Sequence, residues 1–274
     1  MKRARYLMAG LLAAIALLSL EACQKMDRPE LVIIPDPPPP PYNPLKAYFK
    51  FDDNVTDSMG NVNATATNMT YVDGISGKAL KGAANGYMLI NAPGDTLVNL
   101  GSATIAFWMN APVATKATGI FSMSHKTQFW GNFDLFMEGY NNPTEAFFKM
   151  HILNANAADK EQWLEVKVPN VVGKWTHIAI RYDSSTSQIS MFADGQPTGI
   201  HNQALKSGNY GPLKFADAGG LVIGNMQFMT NPSQTSGAGP QDWAQGFQGA
   251  LDNFRIYNQA LTDAQITELF TQKR

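Results

Sequence analysis

The chain has 274 residues, of which 21 are basic and 22 acidic, for a formal net charge of −1. That balance, without any run of lysine or arginine, excludes the electrostatic footprint of a nucleic-acid binder or of a protein held to anionic lipid by charge. The single cysteine excludes an internal disulfide, so any fold must be held by a core drawn from the 45% of residues that are hydrophobic.

Lys2, Arg3 and Arg5 precede an apolar run from Tyr6 to Leu20, about 15 residues long. This is shorter than the roughly 20 residues that span a bilayer, and its basic flank is that of a secretory signal peptide. Leu20-Glu21-Ala22-Cys23 resembles the lipobox of bacterial lipoproteins. The resemblance implies that residues 1–22 are removed and that the Cys23 thiol receives a diacylglycerol anchor. Glu21 departs from the pattern, which prefers a small residue there. The alternative is an ordinary secretory signal followed by an unmodified cysteine. Residues 23–44 are expected to form a tether, because Pro35, Pro37 to Pro41 and Pro44 favour extended polyproline II. Residues 45–274 suit one large all-β domain better than two small ones.

Within that domain, strand candidates recur every 10 to 15 residues or so. They are Ala47–Phe51, Gly86–Asn91, Ala103–Met109, Gly119–Met123, Phe133–Phe136, Ala146–Leu153, Trp163–Val168, Trp175–Tyr182, Gln188–Ala193, Gly220–Gly224 and Ala250–Tyr257. Trp175–Tyr182 and Gln188–Ala193 form a predicted hairpin, with Asp194-Gly195 turning the chain into the next strand. Trp108 and Trp175 alternate within apolar strands and are assigned to the core; Trp163, opening its strand, is left as either core or surface. The last segment joins a strand to a short helix. Thr262 and Gln265 are spaced as a capping box, Leu261 and Ile266 as a hydrophobic staple, and Ile266, Leu269 and Phe270 share one helical face. Many strands with one terminal helix predict a two-sheet antiparallel sandwich.

Several segments carry a specific resemblance. Tyr48–Asn61, Gly77-Lys78-Ala79-Leu80, Thr104–Trp108, Gly173–Ala179, Met191–Gly195 and Phe247–Leu269 follow one another as do elements of laminin-G-like, concanavalin A-like jelly rolls. The resemblance implies an all-β jelly-roll sandwich of that class. It also implies a lipoprotein of the kind found in Bacteroidetes-type bacteria, anchored at the outer membrane and serving glycan capture.

Catalytic patterns are weak. Glycosidases of this fold class set paired carboxylates about 5 Å apart, typically as Glu-x-Asp-x-(x)-Glu on one strand, and the sequence contains no such run. Asp134 and Glu138 share a strand face but are separated by Leu135, Phe136 and Met137; Glu161 and Glu165 lie in a polar segment that suits a solvated edge. The Arg-rich and Gln-x-His strands of alginate-lyase-like relatives are missing, as is a Gly-x-Ser-x-Gly elbow. His125, His151, His177 and His201 lack zinc-ligand spacing, and His177 is expected to be a satisfied structural histidine. A non-catalytic protein is therefore expected.

Calcium is expected on the strength of the resemblance, which sets the opening and closing strands side by side with the ion bridging them. The matching ligands are Asp52, Asp252 and the carbonyl of Gly77. Asp53, Asp57 and Asn61 either add oxygens or make Asx turns. For sugar binding, flat aromatics among amides are the signal, since sugar C–H faces stack on rings and amides bond hydroxyls. Phe129 and Trp130 sit among Gln128 and Asn132, and Phe228 and Trp243 lie in a long Gly/Ser/Gln-rich loop. Each tryptophan either meets a ligand or caps the end of the sandwich. The expected partner is a glycan or glycoconjugate, with the membrane met through the Cys23 lipid. A protein partner for an adhesion or assembly domain is the alternative, and a polysaccharide hydrolase or lyase with an unrecognised site a second.

Overall fold

The computed structural model describes residues 42–273; the signal peptide, Cys23 and all but the last three residues of the tether lie outside the described residues. Seventeen strands follow in chain order: β1 (Leu45–Phe49), β2 (Thr65–Thr67), β3 (Thr70–Asp73), β4 (Lys78–Lys81), β5 (Tyr87–Ile90), β6 (Ala103–Asn110), β7 (Ala117–His125), β8 (Phe133–Met137) and β9 (Glu145–Leu153). The second half contributes β10 (Glu161–Pro169), β11 (Trp175–Asp183), β12 (Gln188–Ala193), β13 (Gln196–Pro197), β14 (Gln203–Ala204), β15 (Ala218–Ile223), β16 (Ala244–Gly246) and β17 (Ala250–Tyr257). Helix α1 (Gly94–Val98) is one short turn, and α2 (Asp263–Gln272) closes the domain. Among the described residues no helix is long and apolar enough to cross a membrane.

The strands form two sheets. Sheet one runs β13-β12-β11-β6-β17-β4-β3, with β1 also on β17 and β14 on β12; sheet two runs β10-β9-β8-β7-β15-β5-β2, with β16 parallel to β7. All other pairings are antiparallel, and the result is the expected all-β jelly-roll sandwich. Side chains alternate across each strand. On β6, Ile105, Phe107 and Met109 enter the main core, whereas Ala106 joins an outer cluster with Ala179, Phe192 and Ile266. Between the sheets, Phe107 stacks on Phe254 at 5.2 Å, and Phe121 meets Phe254 and Phe133 edge-on at 6.1 and 5.2 Å.

The chain's ends meet in sheet one. Phe49 of β1 pairs with Phe254 of β17 and Leu45 with Tyr257, while Leu251 of β17 pairs with Leu80 of β4. At the change of partner the register against β6 slips between Asp252 and Arg255, and Asn253 takes a positive φ of 53°. This bulge re-aims Asp252 and lets Asn253 Oδ1 accept from the Tyr48 hydroxyl at 2.6 Å. Helix α2 forms as its capping box predicts: Thr262 accepts from Gln265 N–H, and Gln265 accepts from Thr262 N–H at 2.9 Å. Leu261 and Ile266 are buried together over the outer face of sheet one, and Phe270 packs 5.6 Å from Trp108. Trp108 is thus buried under the helix rather than between the sheets. Trp175, expected in the core, is only half-buried at the start of β11.

Candidate functional site

The outward face of sheet two carries the side chains left over when Phe133, Leu135, Met137, Phe148, Met150 and Ile152 turn to the core. On β8 these are Asp134 and Phe136; on β9, Lys149 and His151; on β10, Glu161, Trp163 and Glu165. Two loops cover part of this face. One is 126–132, the other 225–243, and Gln227 ties them together. Its amide donates to the carbonyls of Gln128 and Phe129, both at 2.8 Å, and its oxygen accepts from His125 N–H at 2.6 Å. Thr235 adds a bond to the Gln128 carbonyl at 2.6 Å. Gly237 passes so near Thr127 that a Cβ there would lie 2.4 Å from its carbonyl oxygen, so only glycine permits the approach.

The clamp brings the four predicted aromatics into one cluster. Phe129 lies 5.2 Å from Trp130, 4.7 Å from Phe228 and 6.2 Å from Trp243. Their roles separate by burial. Phe228 is fully buried and lines no pocket at this face, so it does not meet a ligand as expected and instead backs Trp243 at 5.6 Å. Trp130 and Phe129 are half-buried; Trp130 stacks on Phe136 at 5.3 Å and 10°. Trp243 remains 44% exposed, and Trp163, whose place the sequence left open, remains 40% exposed. Trp163 stands edge-on to Trp130 at 5.0 Å and 84°. Around Trp130, Trp163 and Trp243 opens a pocket of about 640 Å³ whose polar wall is Glu138, Lys149 and Glu165. Lys149 Nζ lies 2.9 Å from Glu138 and 4.0 Å from Glu165.

Beneath the tryptophans runs a buried polar chain. Ser122 Oγ donates to Asp134 Oδ1, Asp134 Oδ2 lies 3.2 Å from His151 Nδ1, and His151 Nε2 lies 3.2 Å from Glu161 Oε1. Trp163 Nε1 donates to that same Glu161 oxygen at 3.1 Å, which fixes the indole's tilt. Asp134 and His151 are almost fully buried, so Asp134 does not pair with Glu138 as an exposed catalytic couple. Sequence reasoning missed this chain because its members come from four strands, β7 to β10. The signal was polar residues at outward positions of otherwise apolar strands. His177 is structural but not satisfied: both ring nitrogens are buried without a partner, and burial, reinforced by Arg255, pushes its pKa down to about 3.

On sheet one, Asp52 and Asp252 clasp the 74–77 loop. Asp252 Oδ2 accepts from Ile75 N–H at 2.9 Å and Ser76 N–H at 3.2 Å, and Asp52 Oδ1 accepts from Lys78 N–H at 2.9 Å. Gly77, at φ 68°, has no room for a Cβ, which would fall 2.1 Å from Asp52 Oδ1. Asp252 is fully buried and its Oδ1 has no hydrogen-bond partner. Burial pushes its carboxyl up to about 6, against which the Ser76 and Ile75 N–H groups act, while Asp52 adds to the rise. An orphaned carboxylate oxygen near a second carboxylate, Asp52, fits a hard cation, whereas the Gly77 carbonyl already accepts from Gly74 N–H at 2.9 Å. Among the described residues no group of three or more His, Cys, Asp or Glu is arranged as a metal site, so carbonyls would have to complete the shell. Asp57 is not available to it: its oxygens accept from the N–H groups of Tyr48, Met59, Asn61 and Val62. Asn54 makes an Asx turn with Thr56 N–H, and Asn61 donates to the Lys46 carbonyl.

Comparisons with known proteins agree with this architecture. Residues 82–267 match the laminin G-like family described as the concanavalin A-like lectin/glucanases superfamily. No curated protein sequence matches the chain. Among solved structures, the binding domain of Paraclostridial mosquitocidal protein 1 is similar with a TM-score of 0.60 at 14% identity, over 83% of this chain and 52% of that one. The binding domain of botulinum neurotoxin DC, solved with rat synaptotagmin II, has a TM-score of 0.60 at 13% identity, over 84% and 52%. Domain 4 of AbnA, a GH43 extracellular arabinanase from Geobacillus stearothermophilus solved with arabinotriose, has a TM-score of 0.53 at 19% identity, over 82% and 97%. The chain thus spans about half the length of the toxin domains it matches, and at these identities the likeness is one of fold.

Proposed function

We propose, for a chain that belongs to the concanavalin A-like lectin/glucanase superfamily, that it is a non-catalytic carbohydrate-binding protein tethered to the bacterial outer membrane through a lipid on Cys23. The observation that carries the binding reading is the 640 Å³ pocket set between Trp130, Trp163 and Trp243, two of them about two-fifths exposed. Apolar C–H faces of a sugar stack on the exposed indoles, and Glu138, Glu165 and Lys149 at the wall bond its hydroxyls. Trp130 is held by Phe136 and Trp163 by Glu161, so neither ring has to be ordered when the ligand arrives.

The arabinotriose complex of the AbnA domain and the synaptotagmin complex of the toxin domain support a binding role and mark the two partner classes to separate. Calcium belongs to the same proposal as a structural ion: held by Asp252, Asp52 and the Gly77 carbonyl, it supplies positive charge where a buried carboxylate lacks a partner. A glycan array probed with the protein tests the principal reading. Binding to one glycan class is the expected result; no glycan bound, with a protein partner captured instead, overturns it in favour of adhesion, and turnover of a polysaccharide overturns the non-catalytic role.

A further inference from the structure

Beside the tryptophan pocket, on the other side of Trp130, lies a second pocket of about 360 Å³, lined among others by Phe129, His125, Asn132, Lys160, Glu161 and Asp217. Its polar groups are built in. Asn132 is fully buried, and its amide nitrogen donates to the carbonyls of Ser124 at 3.0 Å and Ala216 at 2.9 Å. Those two acceptors decide the orientation of the amide, leaving Oδ1 as the free atom, and Oδ1 has no hydrogen-bond partner. His125 is also buried. Its Nδ1 faces the N–H groups of Thr127 and Gln128 at 3.2 and 3.3 Å, so it acts as acceptor and the ring proton sits on Nε2. Burial lowers the pKa of this histidine against the pull of Asp217, which keeps the ring a neutral single donor. Glu161 uses Oε1 for His151 and Trp163.

The geometry points to this pocket as a second sugar subsite that takes an uncharged, hydroxyl-rich residue, so that the ligand is a neutral oligosaccharide crossing Trp130 from one pocket to the other. The inference rests on the carbohydrate reading above and adds the class of sugar and its minimum extent. Two features carry it. The first is the donor and acceptor count. Asn132 Oδ1, Glu161 and Asp217 accept, His125 Nε2–H donates, and Lys160 is the one cation lining the pocket. Sugar hydroxyls satisfy such a set, whereas a uronate would meet two carboxylates. The second is spacing. Glu161 lines one pocket and Glu165 the other, and four residues of β10 span about 13 Å, wider than one sugar ring. Phe129 supplies the stacking wall of the second subsite.

Calorimetric titration of the protein with cellotriose, xylotriose and mannotriose, their monosaccharides, and trigalacturonate tests this. At least one neutral trisaccharide is expected to bind ten times or more tighter than its monosaccharide, with trigalacturonate weaker. Asn132→Leu is expected to lose that tenfold gain; since its amide also braces two carbonyls, Asp217→Ala at an exposed position serves as the second variant, with a threefold to tenfold loss. Affinity independent of chain length, a preference for trigalacturonate, or trisaccharide binding unchanged in both variants overturns the inference while leaving the carbohydrate reading in place; the last outcome would mean that an ordered water alone satisfies Asn132. A wild-type protein that binds none of these probes and no glycan on the array fails the carbohydrate reading itself, and the inference with it.

Discussion

Asp252 concentrates the chemistry of sheet one in a single side chain. Its folded carboxyl is pushed up to about 6 from an ordinary 3.8, chiefly by burial, so the folded state holds the proton more tightly than the unfolded chain. The sign follows from linkage: the stability this group contributes is fully present below about pH 4 and is lost as pH rises through 6. In chelator-stripped protein, stability is expected to fall by about 2–3 kcal/mol between pH 4 and 6.5, read as a lower melting temperature. Calcium reverses the sign, because it prefers the carboxylate; added Ca²⁺ is expected to raise melting temperature at pH 7 and to release heat on titration. Asp252→Asn keeps an oxygen for Ile75 and Ser76 N–H yet is expected to flatten both responses. No heat and no thermal shift on adding calcium would reject the ion. The tryptophans obey a different logic. Trp163 and Trp243 are exposed enough that truncation to alanine is expected to change melting temperature little while weakening glycan binding about tenfold or more. Phe228→Ala is expected to cost about 3–5 kcal/mol of stability and to lose binding only through Trp243. That difference explains what the sequence could tell. An aromatic flanked by amides marks a loop, but which of two such rings turns inward depends on the opposite loop. Phe228 was misassigned for that reason, and Trp163 could not be assigned at all.

At the scale of elements, the eleven strands foreseen from alternation all form, because alternation is the direct imprint of one buried face. The strands that were missed have no such imprint. β2 (Thr65–Thr67) is exposed throughout and β3 nearly so, β4 buries two adjacent residues rather than alternate ones, β13 and β14 are two residues each, and β16 lies parallel along β7 with small residues. The start of helix α2 was legible to the residue because capping is local chemistry, whereas α1 follows Pro93 without a side-chain cap. The join between the two loops was illegible for the opposite reason. Gln227 reads as one amide among many in a polar stretch, yet it is fully buried and holds two carbonyls of the other loop and the N–H of His125 at the end of β7. Replacing it removes the partner of His125 N–H and of the Phe129 carbonyl, at about 1–3 kcal/mol for each buried orphan, while the Gln128 carbonyl keeps Thr235. Gln227→Leu is therefore expected to destabilise the protein by several kcal/mol and to raise hydrogen exchange in residues 126–132 above that in β11 and β12. Equal exchange in both regions would mean that the loops are held by the aromatic cluster alone.

Taken whole, the sandwich sets the strand by which the chain enters the domain apart from both pockets. The chain enters the domain through β1, which pairs with β17 in sheet one, and the Asp52–Asp252 clasp lies in that same sheet. Both pockets lie instead on the outward face of sheet two, built from β8, β9 and β10 and the two loops above them. No side chain lining either pocket belongs to β1 or β17. With Cys23 lipidated as proposed, membrane partition would come from buried methylenes rather than from the protein's small net charge. Cys23→Ala is accordingly expected to move the protein from the membrane to the soluble fraction while glycan affinity and melting temperature stay within error of wild type. Mass spectrometry of the wild-type mature N-terminus checks the premise, with a diacylglycerol mass expected on Cys23. An unmodified cysteine there, or a Cys23→Ala protein that remains in the membrane, would show that Glu21 defeats lipidation or that something other than the lipid does the anchoring.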